Sequence, residues 1–77
     1  MSVRWHLEDE EWLGWLPEQD MREDAPTFSV RQPEPGIWAG WLIQEDGSQN
    51  CITMDHHLAS RARTEVETAV EIERLPR

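Results

Sequence analysis

Apolar residues in this chain follow two periods: alternation and short runs through the first two thirds, and helical spacing from His56 onward. Val3, Trp5 and Leu7 alternate with Arg4 and His6, the period of a half-buried strand. Glu8-Asp9-Glu10-Glu11 follows as an acidic turn, and Trp12 to Leu16 reads as the return strand, ended by Pro17. Trp12, Trp15 and Leu16 would also suit one turn of helix, but an internal repeat decides for a strand. Ser2-Val3-Arg4 leads into Trp12-Leu13-Gly14-Trp15-Leu16 and then Asp20. Ser29-Val30-Arg31 leads in the same way into Trp38-Ala39-Gly40-Trp41-Leu42 and then Asp46. Such a repeat implies one supersecondary unit used twice. The second copy carries the clearer strand signals: Thr27 to Arg31, a turn at Pro33-Glu34-Pro35-Gly36, and a β-branched and aromatic run from Ile37 to Ile43.

Between the two copies, residues 17–26 have almost nothing to bury and are bounded by prolines, which predicts an exposed loop. Glu45-Asp46-Gly47-Ser48 contains the Asp-Gly pair suited to a hairpin turn, so Asn50 to Thr53 should pair back on the preceding strand. Beyond it, Leu58, Ala62, Val66, Ala69 and Ile72 recur at helical spacing, with Asp55 placed to cap the helix and Leu75-Pro76 to stop it. Small alanines at 62 and 69 would let that helix lie close to a sheet whose bulk is tryptophan.

The expected fold class is therefore α+β: an antiparallel sheet of four to five strands, built from two similar hairpins, with one C-terminal helix on one face. It is expected as a single small domain: first hairpin 2–16, acidic loop 17–26, second hairpin with an edge strand 27–53, helix 56–75. Alternation puts Trp12, Gly14, Trp38 and Gly40 on one sheet face and Trp15 and Trp41 on the other. One helix covers one face only, so the second tryptophan pair either packs beneath the 17–26 loop or forms an exposed aromatic patch of the kind that marks protein interfaces.

Composition sharpens the picture. At 77 residues the core must be small. A single cysteine, Cys51, allows no internal disulfide, and the start of the chain lacks the pattern of a signal peptide, so the expected location is cytoplasmic. No apolar run is long enough for a membrane span. Sixteen acidic against seven basic residues give a net charge of −9, which disfavours direct contact with nucleic acid or an anionic membrane and favours basic protein surfaces. Every basic residue is Arg, which suits bidentate ion pairs but also fits codon bias. Arg61 and Arg63 near the helix start and Glu71 and Glu73 near its end oppose the helix dipole, an effect softened by the possible i,i+4 pairs Arg61–Glu65 and Arg63–Glu67.

Candidate chemistry is sparse. Cys51, Asp55, His56 and His57 are metal-ligand types, but adjacent histidines diverge on either a helix or a strand, so no metal or other cofactor is expected. Cys51 reads better as a small core residue and the histidines as an exposed first helical turn. No nucleophile elbow, phosphate loop, dinucleotide fingerprint or H-E-x-x-H occurs, and the expectation is a protein that is not an enzyme.

Acid remains as the functional signal. The candidate partner-binding residues are Glu8, Asp9, Glu10, Glu11, Glu18, Asp20, Glu23, Asp24, Glu45, Asp46, Glu67 and Glu71, with Trp15 and Trp41 as apolar anchors. They point to a basic nucleic-acid-binding protein or complex as partner, with a homodimer also possible. In size and charge alone, the profile resembles that of small acidic inhibitors of bacterial defence systems, anti-CRISPR proteins and DNA mimics among them. The alternative is a structural or oligomerisation module that pairs through an exposed tryptophan face.

Overall fold

The computed structural model describes residues 3–72. Five strands form one antiparallel meander in the order β1-β2-β3-β4-β5: β1 Arg4–Glu8, β2 Glu11–Trp15, β3 Phe28–Glu34, β4 Ile37–Ile43 and β5 Gln49–Cys51. A single helix, α1 (Ala59–Glu71), packs over β3 and β4. The expected α+β architecture is the one observed, and the two sequence repeats are its first two hairpins, β1–β2 and β3–β4.

Register assigns the two faces. Trp5, Gly14, Phe28, Leu42 and Asn50 form one cross-strand row facing the helix, with Leu7, Trp12, Val30 and Gly40 in the next. The core lies between this face and the helix: Phe28, Val30, Ala62 and Val66 are fully buried, with Val3, Leu42 and Ala69 nearly so. Gly40 is needed there because a Cβ would stand 2.6 Å from Val66 Cγ2. The opposite face carries the row His6, Leu13, Ser29, Trp41 and Cys51.

The helix departs from expectation at its start. Asp55 does not cap it; Leu58 occupies the N-cap position in extended backbone (φ −129°, ψ 136°) without a side-chain hydrogen bond. The cause is tertiary. His56 forms a β-bridge with Trp38, the amide of each donating to the other's carbonyl at 2.6 and 2.8 Å, so the segment that would have been a first helical turn extends the sheet. His56 is consequently half-buried, whereas His57 is exposed. The buried stripe of the helix is Ala62, Val66 and Ala69; Leu58 and Ile72, expected in the same stripe, are 58% and 56% exposed. The expected stop at Leu75-Pro76 lies outside the described residues.

Smaller corrections concern β3 and β5. Strand β3 does not end at Arg31 but runs through Pro33 to Glu34 with a register shift after Arg31, so the turn tightens onto Pro35-Gly36. Cys51 is exposed on the sheet's edge strand instead of serving as core, because its register opposite Trp41 turns it to the face away from the helix.

Candidate functional site

The acidic residues occupy both ends of the sheet. The strand directions place turn Glu8–Glu11 at one end and the loop carrying Glu18, Asp20, Glu23 and Asp24 at the other, beside the β4–β5 turn with Glu45 and Asp46. Among the described carboxylates only Glu11, Glu65 and Glu67 are not exposed, and each of the three has a side-chain task within the fold. Glu11 accepts a hydrogen bond from Ser29 Oγ and lies 3.9 Å from Arg31 Nη1. Glu65 receives the Met54 amide and sits 2.7 Å from His56 Nε2. Glu67 accepts from Trp5 Nε1 at 3.0 Å. Two predicted partner-binding residues, Glu11 and Glu67, are thus engaged internally. The expected Arg61–Glu65 and Arg63–Glu67 pairs give way to these longer-range contacts, and the arginine–carboxylate pair found among the described residues is Arg31–Glu11.

Two arginines are drawn onto tryptophans. Arg31 stacks 3.9 Å from the Trp41 ring centroid, and Arg63 stacks 4.0 Å from that of Trp12. Arg31 Nη1 also donates to Ser29 Oγ at 3.1 Å and to Gln49 Oε1 at 2.6 Å. The placement of Arg63 in the first turns of the helix, against the dipole, is thereby explained: its position is set by the ring of Trp12 on the sheet below.

The 17–26 loop does more than expose acid. Its backbone lies over Trp15, whose Nε1 donates to the Asp24 carbonyl at 2.8 Å, and Trp15 is only 6% exposed. The second sheet face is therefore half covered, and Trp15, expected as an anchor, is inside the fold. Trp41, by contrast, is half-buried beneath Arg31, and Leu13 and Ile43, which share its face, are half-buried too. Within the loop, Asp24 Oδ2 accepts the Asp20 amide and Asp20 Oδ1 accepts the Arg22 amide, which fixes a compact acidic knuckle. Gln19 ties it down by accepting from the Leu16 amide and from Thr27 Oγ1.

The turn Glu8–Glu11 has the most demanding backbone. Glu8 pairs with Glu11, leaving Asp9 and Glu10 as a two-residue loop with φ of 49° and 63°. Positive φ at both positions is the I′ hairpin geometry, whose preferred sequence is Asn-Gly; Asp tolerates the left-handed region, but Glu does not favour it. In the β4–β5 turn, Gly47 takes the left-handed position (φ 89°). There Ser48 donates from its hydroxyl and its amide to Asp46 Oδ1, and these bonds, the hydroxyl first, hold the Asp46 carboxyl below its ordinary pKa.

No group of metal-ligating side chains is found among the described residues. Cys51 Sγ contacts the Thr53 carbonyl and His56 contacts Glu65, so the two are separately engaged. No helix of the described residues is long and apolar enough to cross a membrane. Comparison with protein-family models, with curated proteins and with solved structures found no match to this chain. Sequence reasoning missed the arginine–tryptophan stacks, although the all-arginine basic set was their signal, and missed His56 as a sheet residue, which carries no local signature.

Proposed function

We propose that this protein is a non-enzymatic acidic binding protein that occupies the basic nucleic-acid-binding surface of another protein or complex and so blocks it. One observation carries the reading. The β1–β2 turn keeps Asp9 and Glu10 at positive φ, where a non-glycine residue costs roughly 1–2 kcal/mol and Asn-Gly would be favoured. Strained, exposed carboxylates that make no side-chain hydrogen bond among the described residues serve something outside the fold. The acidic end formed by Glu18, Asp20, Glu23, Asp24, Glu45 and Asp46 supplies a second negative surface, and Trp41 with Leu13 and Ile43 an apolar contact between the two. Action inside the cell against a nucleic-acid-dependent defence complex is the finer form of this proposal.

Stability and binding should separate in the double variant Asp9→Asn/Glu10→Gly. It relieves the turn and so stabilises the fold, yet removes two carboxylates, and capture of the partner should weaken by about tenfold, 1.4 kcal/mol. The tagged protein is incubated with lysate of its native host and washed at low and high salt, with and without excess DNA. A nucleic-acid-binding complex released by both salt and DNA is the expected result. Capture indifferent to salt and DNA, or unchanged in the variant, would overturn the proposal.

A second reading, a structural module pairing through its tryptophan face, is favoured by Leu13, Trp41 and Ile43, which stay half-buried on the face away from the helix. Such apolar association strengthens slightly with salt, the opposite of steering by carboxylates.

A further inference from the structure

The sheet has two edges that differ in kind. Strand β5 is three residues long, polar and exposed, which is ordinary edge protection. Strand β1, Arg4-Trp5-His6-Leu7-Glu8, is longer, has no proline or bulge, and alternates apolar with charged residues. The helix packs over β3 and β4 and reaches β1 through Glu67, which accepts from Trp5 Nε1, so that among the described residues no strand pairs with the outer edge of β1. Leu7 is 50% exposed there although it belongs to the face that carries the core.

Backbone phase shows which groups the edge offers. A two-residue I′ loop closes on a hydrogen-bonded pair, here Glu8 with Glu11, so Glu8, His6 and Arg4 turn their amides and carbonyls toward β2. Trp5 and Leu7 then direct theirs outward. Gly14, the partner of Trp5 in register, agrees: its carbonyl is turned away from β1 and accepts from Thr27.

We propose that this edge pairs with the β1 edge of a second copy of the chain, antiparallel about a twofold axis at His6, joining two sheets into one. The sequence of β1 is complementary to its own reverse. With His6 on the axis, Trp5 faces the second copy's Leu7 in a mutually hydrogen-bonded pair, and both lie on the helix face. Arg4 faces the second copy's Glu8, and both lie on the opposite face, where each is exposed. Among the described residues the side-chain hydrogen bond of Arg4, to the Leu16 carbonyl, is long at 3.4 Å and exposed, which lets its guanidinium turn outward. Isologous contacts of this kind repeat every pair twice, so the edge supplies two Arg–Glu pairs, two Trp–Leu pairs and four backbone hydrogen bonds. This inference is independent of the acidic-blocker reading and uses a different surface from the tryptophan patch.

Sedimentation equilibrium of the full chain tests it. A dimer should form, weakly, as suits a small interface, by about 1 mM. Arg4→Glu or Glu8→Arg alone places like charges opposite each other and should raise the dimer Kd by about tenfold or more, while the double swap Arg4→Glu/Glu8→Arg restores it to within about threefold. Leu7→Pro removes an amide that the hairpin does not use, so circular dichroism should show a folded monomer with dimerisation abolished. A monomer at every concentration, a Leu7→Pro protein that still dimerises, or a charge swap that fails to rescue the single variants would overturn the proposal. The swap keeps the test decisive even where Leu7→Pro fails to fold.

Discussion

The two W-x-G-W-L segments have the same residues at the same strand positions and different surroundings. In the first, a Cβ at Gly14 would stand 2.7 Å from Trp5 Cζ3, so the glycine makes room for a tryptophan of its own hairpin. In the second, the same position, Gly40, makes room for the helix through Val66. The later tryptophan diverges too: Trp15 is buried beneath the 17–26 loop, while Trp41 is capped only by Arg31. A repeated strand pattern thus fixes which face each residue takes, and whatever the chain lays on that face decides what the residue does. The first hairpin is covered by its loop on one face and meets the helix on the other through Trp5–Glu67 and Trp12–Arg63; the second lies under the body of the helix on one face and is left half open on the other.

Replacing the later tryptophans should expose that asymmetry most strongly. Trp15→Ala removes a buried ring and orphans the Asp24 carbonyl, at about 3–5 kcal/mol, enough to unfold a domain this small. Trp41→Ala, already half exposed, should cost about 1–2 kcal/mol and leave a cooperative urea transition. Equal losses would mean that the loop contributes nothing to the burial of Trp15.

The glycines give the next largest contrast. Gly40→Ala drives a methyl into Val66, whose fully buried branched side chain cannot swing away, and should cost about 2–3 kcal/mol. Gly14→Ala meets the half-exposed Trp5 ring at 2.7 Å and Val3 Cγ1 at 2.9 Å, both at the edge of the sheet, and a smaller cost, about 1–2 kcal/mol, is expected. Urea midpoints of the two variants in one background decide the order, and the reverse order would show that Trp5 is held more firmly than its half-exposed edge position implies.

Much of this was legible in the sequence, for reasons that also mark where legibility stopped. Alternation and turn residues are local, so both hairpins, the faces of Trp12, Trp15, Trp38 and Trp41 and the stripe Ala62-Val66-Ala69 could be read directly. The fate of Trp15 depended on a loop with little to bury, which nonetheless aims a backbone carbonyl at the indole. His56 was lost from the helix because Trp38 and Glu65, eighteen residues before it and nine after, recruit it as a β-bridge and a hydrogen-bond partner. Neither contact leaves a periodic trace. The acid was legible as charge but not as function: Glu67 looked like its neighbours in the sequence until Trp5 was found donating to it.

The turns extend the comparison at a smaller scale. Glu10→Gly relieves the left-handed position of the first hairpin and should stabilise it by about 1 kcal/mol, whereas the β4–β5 turn already has Gly47 there and has no such gain available. What that second turn has instead is the Ser48 clasp on Asp46. Because these hydrogen bonds favour the charged carboxylate, the Asp46 pKa lies below its ordinary value of 3.8, and the contribution of the clasp is complete above that value and lost as pH falls through the lowered one. Ser48→Ala removes the hydroxyl bond, the larger of the two, and leaves the amide, so the Asp46 titration followed by carboxyl NMR should move up toward 3.8 without reaching it. The exposed position of the group makes any accompanying change in stability small. A full return to 3.8 would mean that the amide contributes nothing and the turn is held by Gly47 alone, which would make the two turns more alike than their sequences.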